Sequence, residues 1–256
     1  MRVAAVTGAA SGIGRAAVEL LVEQGYGVVA VDLDRARFDW AESTDAIAIV
    51  TGDVCLTETN TAMVAAAVDT FGRLDVVALN AGIPMSGDLL DLPIEKFDRA
   101  IEVNVRAVLL GIRAAVPAFR SHGEGGRIIV TASTSGLAGD PSMWPYNTAK
   151  AAAINLVRST SLDLAAEGIT VNAVCPGPTA TAMTAGIVAL PEREAGLLAS
   201  IPAQRWGRPE EIAAVIAFLA SPAASFVTGV AIPVDGGITA NTGQFRPQPT
   251  HQRSTS

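Results

Sequence analysis

Apolar positions along the chain keep two rhythms. Runs of five or six residues rich in Val, Ile and Ala alternate with longer stretches in which apolar side chains return at every third or fourth position. The short runs predict strands over residues 3–7, 27–31, 46–50, 74–79, 127–132, 170–174 and 230–234. The longer stretches predict helices over 13–24, 58–71, 147–166 and 209–220, with one or two more within 94–118. Gly25, Gly72 and Gly168 stop three of these helices, and Glu210 and Glu211 open the last, where carboxylates favour the helix dipole. Strands that alternate with helices need crossover connections, which make the sheet parallel and cover both its faces. Val28-Val29-Ala30-Val31, apolar at every position, fits a strand buried on both sides. No internal linker rich in Pro, Gly or Ser and no short repeat divides the chain. The expectation is a single α/β domain over 1–242, followed by a polar, aperiodic, flexible tail over 243–256.

Composition narrows the function. The 256 residues carry a net charge of −7, and Lys96 and Lys150 are the only lysines. That balance offers no basic patch for phosphates and no attraction to anionic lipids, so neither nucleic acid nor membrane is an expected partner. No apolar run is long enough to span a bilayer, and Met1-Arg2-Val3-Ala4-Ala5-Val6 runs straight into a glycine loop, so the reading is cytoplasmic. Cys55 and Cys175 each sit in an apolar, strand-like segment and read as reduced core thiols. With His122 and His251 they make neither a metal-ligand spacing nor a Ser-His-Asp set. No metal is expected, and any acid/base chemistry must use another residue type.

Thr7-Gly8-Ala9-Ala10-Ser11-Gly12-Ile13-Gly14 joins the first strand to the first helix. Glycines there let the backbone turn tightly and approach a pyrophosphate, while the helix N-terminus offers free N–H groups and a positive dipole end. Asp32 ends the second strand, where a carboxylate binds the adenosine ribose hydroxyls and repels a 2′-phosphate. Uncharged Ser11 and Leu33 also favour NAD as cofactor, whereas the nearby Arg35 and Arg37 would favour NADP. The fold class is then Rossmann-type: a doubly wound, seven-stranded parallel sheet with helices on both faces.

Tyr146 and Lys150 stand four residues apart at a predicted helix start, on one face of it. A free phenol is a poor base at neutral pH, but a neighbouring ammonium favours the phenolate and makes Tyr146 a general acid/base. Ser133 ends the fifth strand, at the sheet edge where ligands bind in open parallel sheets.

In this order the motifs resemble the short-chain dehydrogenase/reductase family, over nearly all of residues 1–240. Thr7-Gly8-x-x-x-Gly12-Ile13-Gly14 is similar to its cofactor loop, Asp53-Val54 to its adenine-contacting pair, and Asn80-Ala81-Gly82 to the motif after its fourth strand. Asn104, Ser133, Tyr146 and Lys150 match its catalytic set, Pro176-Gly177-Pro178-Thr179 its segment over the nicotinamide, and Asp235-Gly236-Gly237 its C-terminal signature. Two departures, Leu79 before Asn80 and Thr131-Ala132 before Ser133, remove no residue with a chemical role.

The resemblance implies that Tyr146 passes a proton to or from the substrate oxygen, which Ser133 orients. Lys150 lowers the Tyr146 pKa and binds the nicotinamide ribose, and Asn104 holds a water. Ile13, Thr179 and Thr181 complete the cofactor contacts. It also implies a mobile lid over 179–201, apolar in this chain, which with Met85, Gly139, Met143, Trp144 and Met183 lines a cleft for a neutral, hydrophobic secondary alcohol or its ketone. The lid stretch could equally be a pair of amphipathic helices packed on the core. Helices around 103–116 and 151–164 are expected to pair into a homotetramer. A carrier-linked 3-oxoacyl reductase of the same family, a non-enzymatic dinucleotide sensor and a purely structural role stand as alternatives.

Overall fold

The strands are built from residues whose branched or small side chains pack on both faces of a sheet. The structure, a computed structural model, describes residues 1–41 and 44–241. The tail expected over 243–256 and the side chains of Ile187 and Val188 lie outside the described residues. Strands β1 (Val3–Thr7), β2 (Gly27–Asp32), β3 (Ile47–Thr51), β4 (Val76–Leu79), β5 (Gly126–Thr131), β6 (Ile169–Pro176) and β7 (Ala231–Val234) form one sheet in the order β3-β2-β1-β4-β5-β6-β7. Every pairing is parallel. This is the doubly wound α/β architecture, and each predicted strand has a counterpart within two residues at either end.

The helices are α1 (Gly12–Glu23), α2 (Thr57–Phe71), α3 (Ile94–Ile101), α4 (Ala107–His122), α5 (Trp144–Leu164), α6 (Ala185–Val188), α7 (Pro191–Ser200) and α8 (Pro209–Ala220). Alternation along β1 divides the core. Val3 and Ala5 face the cluster that holds Met63 of α2, Ile112 and Phe119 of α4, and Ile154 and Val157 of α5. Ala4 and Val6 face Val18 and Leu21 of α1 and Ile212 and Ile216 of α8. Each such buried Val, Leu, Ile, Phe or Met side chain stabilises the fold by roughly 1.5–3 kcal/mol before entropy is counted.

Two local findings differ from the sequence reading, and one decides between its alternatives. Cys55 is not in a strand; it lies in the turn before α2, where its N–H donates to the Asp53 carboxylate at 2.9 Å. The 94–118 region is two helices joined by a π-helical turn, Glu102–Arg106, a widening that often marks functional sites. Helix α5 begins at Trp144, three residues early, because Pro145 suits a first helical turn, where its missing N–H has no intrahelical partner to lose.

Candidate active site

The chain leaves β1 toward β2 and β3, then returns to place β4 on the other side of β1. Loops from the carboxyl ends of β1 and β4 therefore part, and the crevice between them is the binding position of such sheets. Gly8 and Gly12 stand there at φ +64° and +55°, which only glycine adopts freely. Asn80, after β4, braces the loop: its amide donates to the carbonyls of Thr7 at 3.1 Å and Gly8 at 3.3 Å. The N–H groups of Asn80 and Ala81 both donate to Thr7 Oγ1. A side chain on Gly8 would meet Ala81 Cα at 2.9 Å, so Asn80-Ala81-Gly82 and the glycine loop form one wall. No side chain caps α1: Ser11 makes no cap bond, and the first N–H groups of the helix are left for a ligand.

Asp32 faces this loop. Its carboxylate accepts from the Ala10 N–H at 2.9 Å and from the Leu33 N–H at 2.7 Å. Among the described residues no basic side chain pairs with it. Asp53 lies beyond β3 with Val54. The Cys55 N–H, then the Arg99 guanidinium, hold its carboxyl below the usual range. Uncapped N–H groups, a loop with no room for a Cβ and an unneutralised carboxylate fit a dinucleotide.

The second cluster gathers at the ends of β5 and β6. Lys150 is 4% exposed, and its ammonium donates to the Thr131 carbonyl at 2.8 Å. Burial pushes it down to about 8. Its Nζ lies 5.6 Å from the centre of the Tyr146 ring. The Tyr146 phenol is pushed up, mainly by burial, against a hydrogen bond from Ser133 that favours the ionised form. This differs from the lowered phenol expected from the spacing, because burial dominates and Lys150 spends a proton on the Thr131 carbonyl. Ser133 is itself buried, and Cys175 of β6 lies behind the pair, its thiol pushed up to about 11 by burial.

Asn104 sits in the π turn, fully buried. Its amide donates to the carbonyls of Ile83 and Ala100 at 3.1 and 3.0 Å, and its oxygen accepts from the Ile83 N–H at 3.3 Å. A Cβ on Gly82 would come within 2.7 Å of Asn104 Oδ1 and 3.2 Å of Lys150 Nζ, so both converge on one point.

At the end of β6, Pro176 pairs with Val234 of β7 and Gly177 packs on Asp235, whose carboxylate accepts from Gly237 N–H and from Thr239. Thr179 is buried and accepts from the Thr184 hydroxyl at 2.7 Å. Thr181 and Thr184 form a reciprocal cap at the Ala182–Thr184 turn before α6, and the Thr181 methyl lies against Gly12. The Trp206 indole donates to Glu194 at 2.9 Å and ties α7 to the segment before α8.

Residues 8–239 match the family model described as enoyl-(acyl carrier protein) reductase. The 2-(R)-hydroxypropyl-CoM dehydrogenase of Xanthobacter autotrophicus is 38% identical over 93% of this chain and 99% of its own. The cis-4-hydroxycyclohexanecarboxylate dehydrogenase of Sinomonas cyclohexanicum is 41% identical over 93% and 97%. A short-chain type dehydrogenase/reductase from Mycobacterium marinum superposes with a TM-score of 0.88, at 32% identity over 94% and 96% of the two chains. The chain is a short-chain dehydrogenase/reductase. It is an oxidoreductase acting on CH–OH groups of small molecules with a nicotinamide cofactor.

Of the expected lining residues, Met85, Met143 and Trp144 are half-buried and Met183, in the turn before α6, is half exposed. The Gly87 N–H donates to the Ser142 carbonyl at 2.9 Å, bringing the Met85 loop to the turn before α5. Trp144 stacks on Phe97 of α3 at 5.7 Å, a partner that no spacing in the chain points to. The sequence reading also assigns no role to Ser135, Asp140 and Asn147, which are hydrogen-bonded around Ser133 and the start of α5. The turn-forming Asp140-Pro141-Ser142 was the available signal. Among the described residues no helix is long and apolar enough to cross a membrane, and no group of three His, Cys, Asp or Glu could hold a metal ion.

Proposed function

We propose that this enzyme uses NAD(H) to interconvert a neutral, hydrophobic secondary alcohol and its ketone by Ser-Tyr-Lys catalysis. The observation that carries it is the convergence of Ser133, Tyr146 and Lys150, from a strand end and one helix face, beside the glycine loop. Tyr146 Oη gives its proton to the carbonyl oxygen in reduction and takes it back in oxidation. Ser133 donates to the same oxygen and holds it. Lys150 and Asn104 define the point through which the phenol exchanges its proton with solvent. The glycine loop, Asp32, Asp53-Val54, Asn80–Gly82 and Pro176–Thr181 would hold the dinucleotide, whose nicotinamide accepts or supplies the hydride when bound.

Asp32 argues for NAD, since its carboxylate is unneutralised where a 2′-phosphate would sit. The relatives' names support an alcohol as the reacting group: each places its hydroxyl on a carbon of a propyl chain or a cyclohexane ring. The cyclohexane substrate carries a carboxylate. In this chain the lid's basic groups are Arg193, exposed on α7, and Arg205, already paired with Glu211 at 2.7 Å. Neither is poised for a substrate anion. Fluorescence titration is expected to show NADH bound about tenfold or more tighter than NADPH, equal to ~1.4 kcal/mol. Turnover of neutral secondary alcohols is expected with it. An NADPH preference would mean that Arg35 or Arg37 outweighs Asp32. Good turnover of an anionic thioester would favour the carrier-linked reductase, and binding without turnover the sensor.

Assembly is part of the same reading. Leu109, Ile112, Val116 and Pro117 of α4 and Leu164 of α5 line a surface groove with Arg113, Arg120 and Asp163, and Leu162 of α5 is 82% exposed. We read this as a face that pairs copies into a homotetramer, and light scattering is expected to return four times the 26.2 kDa chain mass. A monomer would exclude it. We retain the cytoplasm as the site of action and 1–242 as the functional unit.

A further inference from the structure

Ser133 and Tyr146 come from different elements, and one residue outside the Ser-Tyr-Lys set is bonded to the supports of both. Asp140 lies between the short helical turn Thr134–Gly136 and α5. Its Oδ2 accepts from Ser135 Oγ at 2.5 Å, and the N–H of that same Ser135 donates to Ser133 Oγ at 3.1 Å. Its backbone carbonyl accepts from the side-chain amide of Asn147, the neighbour of Tyr146, at 3.0 Å, and from the Met143 N–H at 3.2 Å. The turn so closed has Pro141 at its second position and Ser142 at φ +59°. A non-glycine residue there is strained, and such strain persists only where the surroundings over-determine the backbone.

We propose that Asp140 is a positioning residue of this site: through Ser135 its carboxylate fixes where the Ser133 hydroxyl points, and through Asn147 its backbone fixes the start of the Tyr146 helix. The proposal deepens the Ser-Tyr-Lys reading and rests on it. A serine hydroxyl has one proton and two lone pairs. The Ser135 N–H takes one lone pair of Ser133, which restricts the rotor and leaves its proton for Tyr146 or the substrate oxygen. A charged acceptor holds Ser135 more firmly than a neutral one would. Ser135 is buried, so its hydroxyl needs that acceptor.

The same carboxylate gives the test a specific readout. The charged and titratable groups about the phenol are Lys150 on its own helix, Asp140 on the preceding loop and, behind Lys150, the Cys175 thiol of β6. The negative charge of Asp140 disfavours the phenolate and raises the Tyr146 pKa. Neutralising it makes the base form available at lower pH.

Wild type, Asp140→Asn, Asp140→Ala and Ser135→Ala are compared in the pH dependence of NAD-linked oxidation of a neutral secondary alcohol that the wild type turns over. NADH binding is followed in parallel. Asp140→Asn keeps an acceptor for Ser135. It is expected to hold kcat within about threefold while the acidic limb of kcat/KM moves to lower pH. Asp140→Ala and Ser135→Ala are expected to lower kcat about tenfold or more with NADH affinity unchanged, as misaimed catalytic groups do. An acidic limb that does not move in Asp140→Asn overturns the proposal. So does a loss of NADH affinity in the Ala variants as large as the loss of kcat, the mark of a loop that has come apart. Turnover that survives Tyr146→Phe would instead overturn the reading of the site itself, and the role of Asp140 with it.

Discussion

Replacing Tyr146 with phenylalanine is expected to lower kcat about a thousandfold, within the range that a positioned acid/base contributes, and to leave NADH affinity within about twofold. The phenyl ring keeps its packing near Lys150, which lies 5.6 Å from the ring centre. What disappears is the hydroxyl that carries the proton. The pH dependence follows from the direction in which burial moves this phenol, upward. Alcohol oxidation uses the phenolate, so its rate rises as pH climbs toward the raised pKa. Ketone reduction uses the neutral phenol, so it is sustained at lower pH and falls as the phenol ionises. Steady-state rates across pH in both directions check this. The phenylalanine variant should lose the phenol's limb in each profile, and a variant that keeps it would show that the proton travels by another group.

Gly14→Ala is expected to weaken dinucleotide binding about a hundredfold although Gly14 has an ordinary backbone conformation. A Cβ there would run into the Gly8 carbonyl and stand 2.7 Å from Asn80 Nδ2. Neither neighbour can yield, because the Asn80 amide is tied to the Thr7 and Gly8 carbonyls at 3.1 and 3.3 Å. The glycine loop must move away from β4, at ~1–3 kcal/mol for an overpacked site. A shift of ~2.7 kcal/mol in the bound complex is about a hundredfold in affinity. Fluorescence titration of NADH and a thermal melt measure the two effects. Gly196→Ala, on the lid helix with nothing within 4 Å of the added carbon, is the control that should change neither. Wild-type affinity in Gly14→Ala would mean that the loop is not the cofactor cradle.

What could be read from the chain, and what could not, divides by distance along it. Val28-Val29-Ala30-Val31 announces a strand buried on both faces because each residue states its own environment. Tyr146 and Lys150 announce a shared face because one helix carries both. Asp32 and the glycine loop are separated by a single βα unit, and their meeting follows from the direction of the strands. Contacts that join distant elements leave no such trace. Phe97 on Trp144, Arg99 near Asp53 and Trp206 on Glu194 depend on packing, for which periodicity has no signal. Cys55 looked strand-like because its neighbours are apolar, yet the Asp53 carboxylate captures its N–H and turns the chain instead. The direction of the Tyr146 shift was hidden for a related reason: spacing gives the nearness of Lys150, whereas burial is a property of the finished fold.

The pairing of β1 with β4 sets Ala4 beside Val76 and Val6 beside Ala78, so the middle seam of the sheet joins segments that lie far apart in the chain. Closing so long a loop is slow, and neither partner is rewarded until it is closed. The glycine loop leaves one side of that seam, and Asn80, which braces it, leaves the other. A growing chain therefore carries the whole glycine loop well before it carries the residue that braces it. The first βαβ unit alone holds the loop without its brace, and on the proposed reading the capacity to recognise a nucleotide arrives with the fourth strand.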